Sequence, residues 1–70
     1  MKQITAMMAG TVIEVLVKAG DIILGGQEVI IIESMKMQLP VQAEMEGKVT
    51  QIRVSSGDFV NEGDALIVLD

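Results

Sequence analysis

Shifted by 37 residues, the chain overlies itself. Residues 4–33 then align with residues 41–70, and nine pairs are identical: Ala6/Ala43, Met8/Met45, Gly10/Gly47, Val12/Val49, Val17/Val54, Gly20/Gly57, Asp21/Asp58, Gly26/Gly63 and Ile30/Ile67. Others match in character, among them Val15/Ile52, Ile31/Val68 and Glu33/Asp70. Glycines and valines in one frame throughout mark a duplicated unit. A unit this short cannot bury its own apolar face, so the two copies are expected to pack on each other about a pseudo-twofold axis.

Each copy reads as β-structure. In Thr11 to Val17, apolar Ile13, Val15 and Val17 recur at period 2, blurred by Leu16; in the second copy, Lys48 to Val54, Ile52 and Val54 alternate with polar Gln51 and Arg53. Gly20-Asp21 and Gly57-Asp58 follow as turns, Gly for its access to positive φ and Asp for closing an Asx-type bond. Gly26 and Gly63 mark the next reversals. The copies then end in buried strands, Val29 to Glu33 and Leu66 to Asp70. Val29-Ile30-Ile31-Ile32 on an open edge would invite aggregation, which a closed or interlocked pair of sheets avoids. The chain is thus read as all-β, a small flattened barrel or sandwich forming one domain over residues 1–70.

Composition narrows the function. The chain has 70 residues, half of them hydrophobic but only one aromatic, Phe59, so the core is expected to be Val, Ile, Leu and Met. Such a chain has no room for an enclosed catalytic pocket of roughly 300 Å³ or more, which argues against an enzyme. Without histidine or cysteine it lacks the commonest general base, the commonest metal ligand and any disulfide. The ten acidic residues are scattered without the spacing of a calcium loop, so no metal site is expected. A net charge of -5 and the lack of a basic stripe exclude nucleic acid as a partner. The longest apolar run, Ala65 to Leu69, is too short to span a membrane. No signal peptide follows Met1-Lys2, so a monomeric, cytoplasmic domain is expected, and the starting Met favours a whole protein.

Subtracting the repeats (4–33 and 41–70) leaves the first three residues and one internal segment, the hairpin 34–40: Ser34-Met35-Lys36-Met37-Gln38-Leu39-Pro40. Lys36 sits at the junction of the halves, where the axis would place a connecting hairpin with the lysine near it. Met35 and Met37 flank it, and strand-like alternation would point them one way and the lysine the other. An apolar pair at a loop tip, beside a nucleophilic amine, reads as a feature that a partner recognises.

Glu33-Ser34-Met35-Lys36-Met37 closely resembles the attachment motif of biotinyl/lipoyl attachment domains, in which the lysine between two methionines carries biotin. Met8-Ala9-Gly10-Thr11-Val12 resembles the family's opening turn and strand. Val17-Lys18-Ala19-Gly20-Asp21 and Gly57-Asp58-Phe59-Val60-Asn61-Glu62-Gly63-Asp64 resemble its Gly-Asp loops. Met8 stands where the family usually has Pro, and Gln38 where Glu is common. No thumb-like insertion interrupts the strands, which places the chain with the short members, such as a free-standing biotin/lipoyl attachment protein. The resemblance implies two antiparallel four-stranded sheets, a barrel-sandwich hybrid, with biotin joined as an amide to Lys36. Met35 and Met37 would serve recognition, and Glu33 and Ser34 complete the motif. It also implies three partners: a biotin protein ligase, a biotin carboxylase and a carboxyltransferase. Lipoate, on a domain of a 2-oxo acid dehydrogenase or on a dual acceptor, is the alternative cargo. Lipoyl domains usually show Asp before the lysine and Ala or Val after it, where this chain has Met on both sides.

Overall fold

The computed structural model describes residues 2–70, and every regular element in it is a strand. In chain order these are β1 (Lys2–Thr5), β2 (Gly10–Val15), β3 (Ile22–Ile23), β4 (Glu28–Ser34), β5 (Met37–Gln42), β6 (Gly47–Ile52), β7 (Phe59–Val60) and β8 (Ala65–Leu69). They form two antiparallel four-stranded sheets, β1-β8-β6-β3 and β5-β4-β2-β7. Exchanging β1 with β5, β2 with β6, β3 with β7 and β4 with β8 turns one order into the other. β2, β3 and β4 begin 37 residues before β6, β7 and β8 respectively.

The equivalence reaches individual bonds. Gly20 and Gly57 both have φ of 97°, and Gly26 and Gly63 have φ of 87° and 90°, conformations that glycine adopts without the steric cost of a Cβ. The Gly20 N–H donates to the Val49 carbonyl at 2.8 Å, and its counterpart Gly57 donates to Val12 at 2.7 Å. Gly26 likewise donates to Ala43 and Gly63 to Ala6. Asp21 accepts from the Lys18 N–H at 3.0 Å, and Asp58 from Ser55 at 2.8 Å, so both aspartates close their turns back onto the residue three before and not by the forward Asx-type bond expected. Each half thus ties its turns to the other half's backbone, and neither is completed alone.

The core lies between the sheets. Val12, Ile23, Val29, Ile30 and Ile32 from the first half pack with Val49, Leu66, Ile67 and Leu69 from the second, all essentially without exposure. Among the described residues no methionine is fully buried in the core: Met45 packs against its margin, Met8 is half-buried, and Met7, Met35 and Met37 are exposed. β-Branched side chains suit a pleated surface and lose little freedom there, whereas the unbranched methionine loses more on burial.

From β1 to β8 the chain changes sheet at every connection but one. Only β4 and β5 are both consecutive and hydrogen-bonded, paired from Glu28↔Gln42 to Ser34↔Met37. Their exchange partners, β8 and β1, are also adjacent, and they hold the two chain ends. The hairpin therefore maps onto the β8–β1 pair and not onto itself, so Lys36 lies off the pseudo-twofold axis, contrary to expectation. β5 runs from the hairpin to the opposite end, where the Lys2 amine donates to the Glu46 carbonyl at 3.1 Å. Two stretches assigned to the remainder also prove to be strand: Lys2 and Gln3 begin β1, which pairs with β8, and Met37 to Pro40 belong to β5. Pro40 is tolerated because β5 is a sheet edge.

Candidate functional site: a lysine on a left-handed turn

Ser34 and Met37 close the β4–β5 ladder, leaving Met35 and Lys36 as the whole connection. Both have positive φ, 55° and 65°. Left-handed backbone at both central residues is the signature of a type I′ turn, which matches the right-handed twist of the strands it joins. Asn-Gly is the favoured filling; Met-Lys is not, and left-handed backbone costs an ordinary residue about 1–2 kcal/mol. The six paired positions beneath hold the turn in that state. Left-handed backbone at non-glycine residues, retained against its cost, is a pointer to function. It also overturns the expectation of strand-like alternation, which requires extended backbone and does not carry across this tip.

The turn presents its side chains to solvent. Met35 is 91% exposed and Met37 59%, and Lys36 is exposed between them. Lys2, by contrast, has its amine engaged by Glu46, while Lys18 stands in an ordinary exposed turn and Lys48 within β6. Glu33, exposed, faces Gln38 directly across the ladder. A Glu at position 38 would set two like charges opposite each other, an unfavourable cross-strand pair that Gln avoids. Ser34 is half-buried at the end of β4. The five motif residues are thus brought together simply by being the end of one hairpin.

One contributor was missed. A Cβ built on Gly10 would lie 2.5 Å from both the Glu33 carbonyl oxygen and Ile32 Cγ2. Only glycine lets β2 approach β4 so closely, immediately beneath the motif. The identity Gly10/Gly47 in the repeat was the signal, but it does not say which strand comes close.

An amide-linked cofactor requires an accessible amine that nothing holds back; Lys36 is exposed, and no side chain or backbone group among the described residues bonds its amine. Two shallow concavities, one beside Met7 and Met45 and one between Arg53 and Asp64, include no residue of Glu33 to Met37. The site thus fits a group carried on a free arm better than one seated in a cleft. Among the described residues no helix is long and apolar enough to cross a membrane.

Comparison with known proteins agrees with this geometry. The family of biotin-requiring enzymes, defined by its biotin/lipoyl domain, matches residues 2–69. A biotin/lipoyl attachment protein of Bacillus subtilis (strain 168) is 54% identical over 41 residues, 59% of this chain and 56% of that protein. The urea carboxylase of Kluyveromyces lactis superposes on 99% of the chain with a TM-score of 0.91 and 33% identity. A single-chain, multi-domain long-chain acyl-CoA carboxylase superposes on 94%, with a TM-score of 0.86 and 32% identity. The chain corresponds to only 6% of each carboxylase and to about half the attachment protein. With a lysine on a left-handed turn, two sheets that exchange by a pseudo-twofold and a family match over nearly every residue, the chain belongs to the biotinyl/lipoyl attachment domain family.

Proposed function

We propose that the chain is a biotin carboxyl carrier, loaded on Lys36 and working in the cytoplasm. The observation that carries this reading is the Met35-Lys36-Met37 turn, an exposed amine flanked by two exposed methionines on backbone that only a tightly held hairpin sustains. In loading by a biotin protein ligase, the Lys36 amine attacks the activated carboxyl carbon, the leaving group departs and the amine gives up a proton as the amide forms. The bound group then supplies a nitrogen that accepts and releases a carboxyl group. The domain holds the arm's root still, so that one tethered group meets a biotin carboxylase and a carboxyltransferase in turn at high effective concentration. The chain's own residues carry out no chemistry after loading.

The carboxylases named above favour biotin as the cargo, and so does methionine on both sides of the lysine. The Bacillus relative, named for both cofactors, favours lipoate as a second cargo. Two measurements test the reading. Equal amounts of the chain are offered to biotin protein ligase and to lipoate ligase, and the biotin-loaded product is given to a biotin carboxylase with ATP and labelled bicarbonate. Loading by the biotin ligase, followed by label on the carrier, supports the proposal. Loading with lipoate alone overturns it.

A further inference from the structure

The chain's one aromatic side chain is on its surface. Phe59 is 64% exposed on the edge strand β7. It pairs with Thr11, Thr11 with Glu33, and Glu33 with Gln38, so one register row crosses all four strands of the hairpin sheet. Directly paired residues share a face. At about 4.8 Å per strand, Phe59 stands about 10 Å from Glu33, at the root of the lysine turn.

The pseudo-twofold supplies an internal control. Ile22 is the counterpart of Phe59, equally exposed at 67%. Its row runs through Lys48 to Asp70, at the end of the molecule remote from Lys36. The charges differ as well. Strands β2, β4, β5 and β7 carry Glu14, Glu28 and Glu33 and no basic residue, whereas Lys2 and Lys48 belong to the other sheet.

We infer that Phe59, together with Glu33 two strands away on the same row of this acidic sheet, forms a docking surface for the ligase that acylates Lys36, received by an apolar socket with a basic rim. The inference rests on Lys36 being the acceptor. A ligase must reach the amine itself, within one side-chain length of the turn, whereas enzymes that use the loaded arm meet its far end. A standard interface covers about 800 Å² per partner, a patch wide enough to take in both the turn and Phe59. Aromatic side chains are enriched in the cores of such patches, and an acidic face steers towards basic partners.

The test is steady-state biotinylation of the chain by purified biotin protein ligase, read by intact mass, for wild type, Phe59→Ser, Phe59→Lys and Ile22→Ser. All four substrates are first shown to be folded by far-UV circular dichroism. Phe59→Ser is expected to raise KM for the carrier about tenfold with kcat within twofold. Phe59→Lys raises it further by facing the basic rim, and more so at low salt. Ile22→Ser leaves both constants within twofold of wild type. An unchanged KM for Phe59→Ser, a loss confined to kcat, or an equal rise for Ile22→Ser overturns the inference while leaving Lys36 as the acceptor. A wild-type chain that takes no biotin overturns both.

Discussion

Replacing Gly10 by alanine tests the close approach of β2 to β4. The added Cβ would sit 2.5 Å from the Glu33 carbonyl oxygen, nearly 1 Å inside ordinary contact. One of the two atoms met there is main chain, so rotamer changes cannot relieve the overlap, and β4 has to move away just below the lysine turn. Overpacking of this kind costs about 1–3 kcal/mol, and a backbone obstacle places Gly10→Ala in the upper half of that range. At about 4–8 °C per kcal/mol for a domain of this size, Tm should fall by about 10–20 °C. Gly47, the repeat counterpart, meets its nearest atoms at 3.3 Å, one of them a side-chain carbon, so Gly47→Ala should cost under about 1 kcal/mol. Far-UV circular dichroism is the suitable probe, since the chain has neither Trp nor Tyr. Equal Tm shifts for the two variants would mean that the repeat is symmetric at these glycines, against the one-sided tightness of Gly10.

Met35→Asn relieves left-handed strain at the first turn position, so Tm should rise by several degrees, reflecting about 1 kcal/mol, while the rate of biotin ligation falls; a lower Tm would contradict the strain argument. Exchanging neighbours, Met35→Lys with Lys36→Met, keeps composition and left-handed backbone but moves the amine from the second turn position to the first. Stability should change by no more than about 1 kcal/mol, and ligation, followed by intact mass, should drop at least tenfold because the reacting atoms are misplaced. Ligation near the wild-type rate would mean that the turn is merely a flexible lysine tag.

The fold was legible because duplication repeats its own evidence. A single Gly-Asp pair is a weak turn signal, but Gly20-Asp21 and Gly57-Asp58 at one offset, in front of matching apolar strands, are a strong one. The hairpin was found by subtraction, as the only internal segment without a counterpart. Its conformation was not legible, since Met and Lys carry no turn preference. Their left-handed backbone is imposed by the β4–β5 ladder and its neighbours, a tertiary effect that overrides local propensity. The same holds for β3 and β7, two-residue strands too short to show periodicity. The exposure of Phe59 follows from its place on an edge strand, which only the pairing reveals.

The central claim is that Lys36 alone of the four lysines carries biotin. Peptide mapping by mass spectrometry after treatment with biotin protein ligase, biotin and ATP tests it most directly. One biotinyl group per chain is expected, on the peptide containing Met35-Lys36-Met37, with none on Lys2, Lys18 or Lys48. Comparable labelling of any of those three, or an unmodified Lys36 in a folded chain, would contradict it.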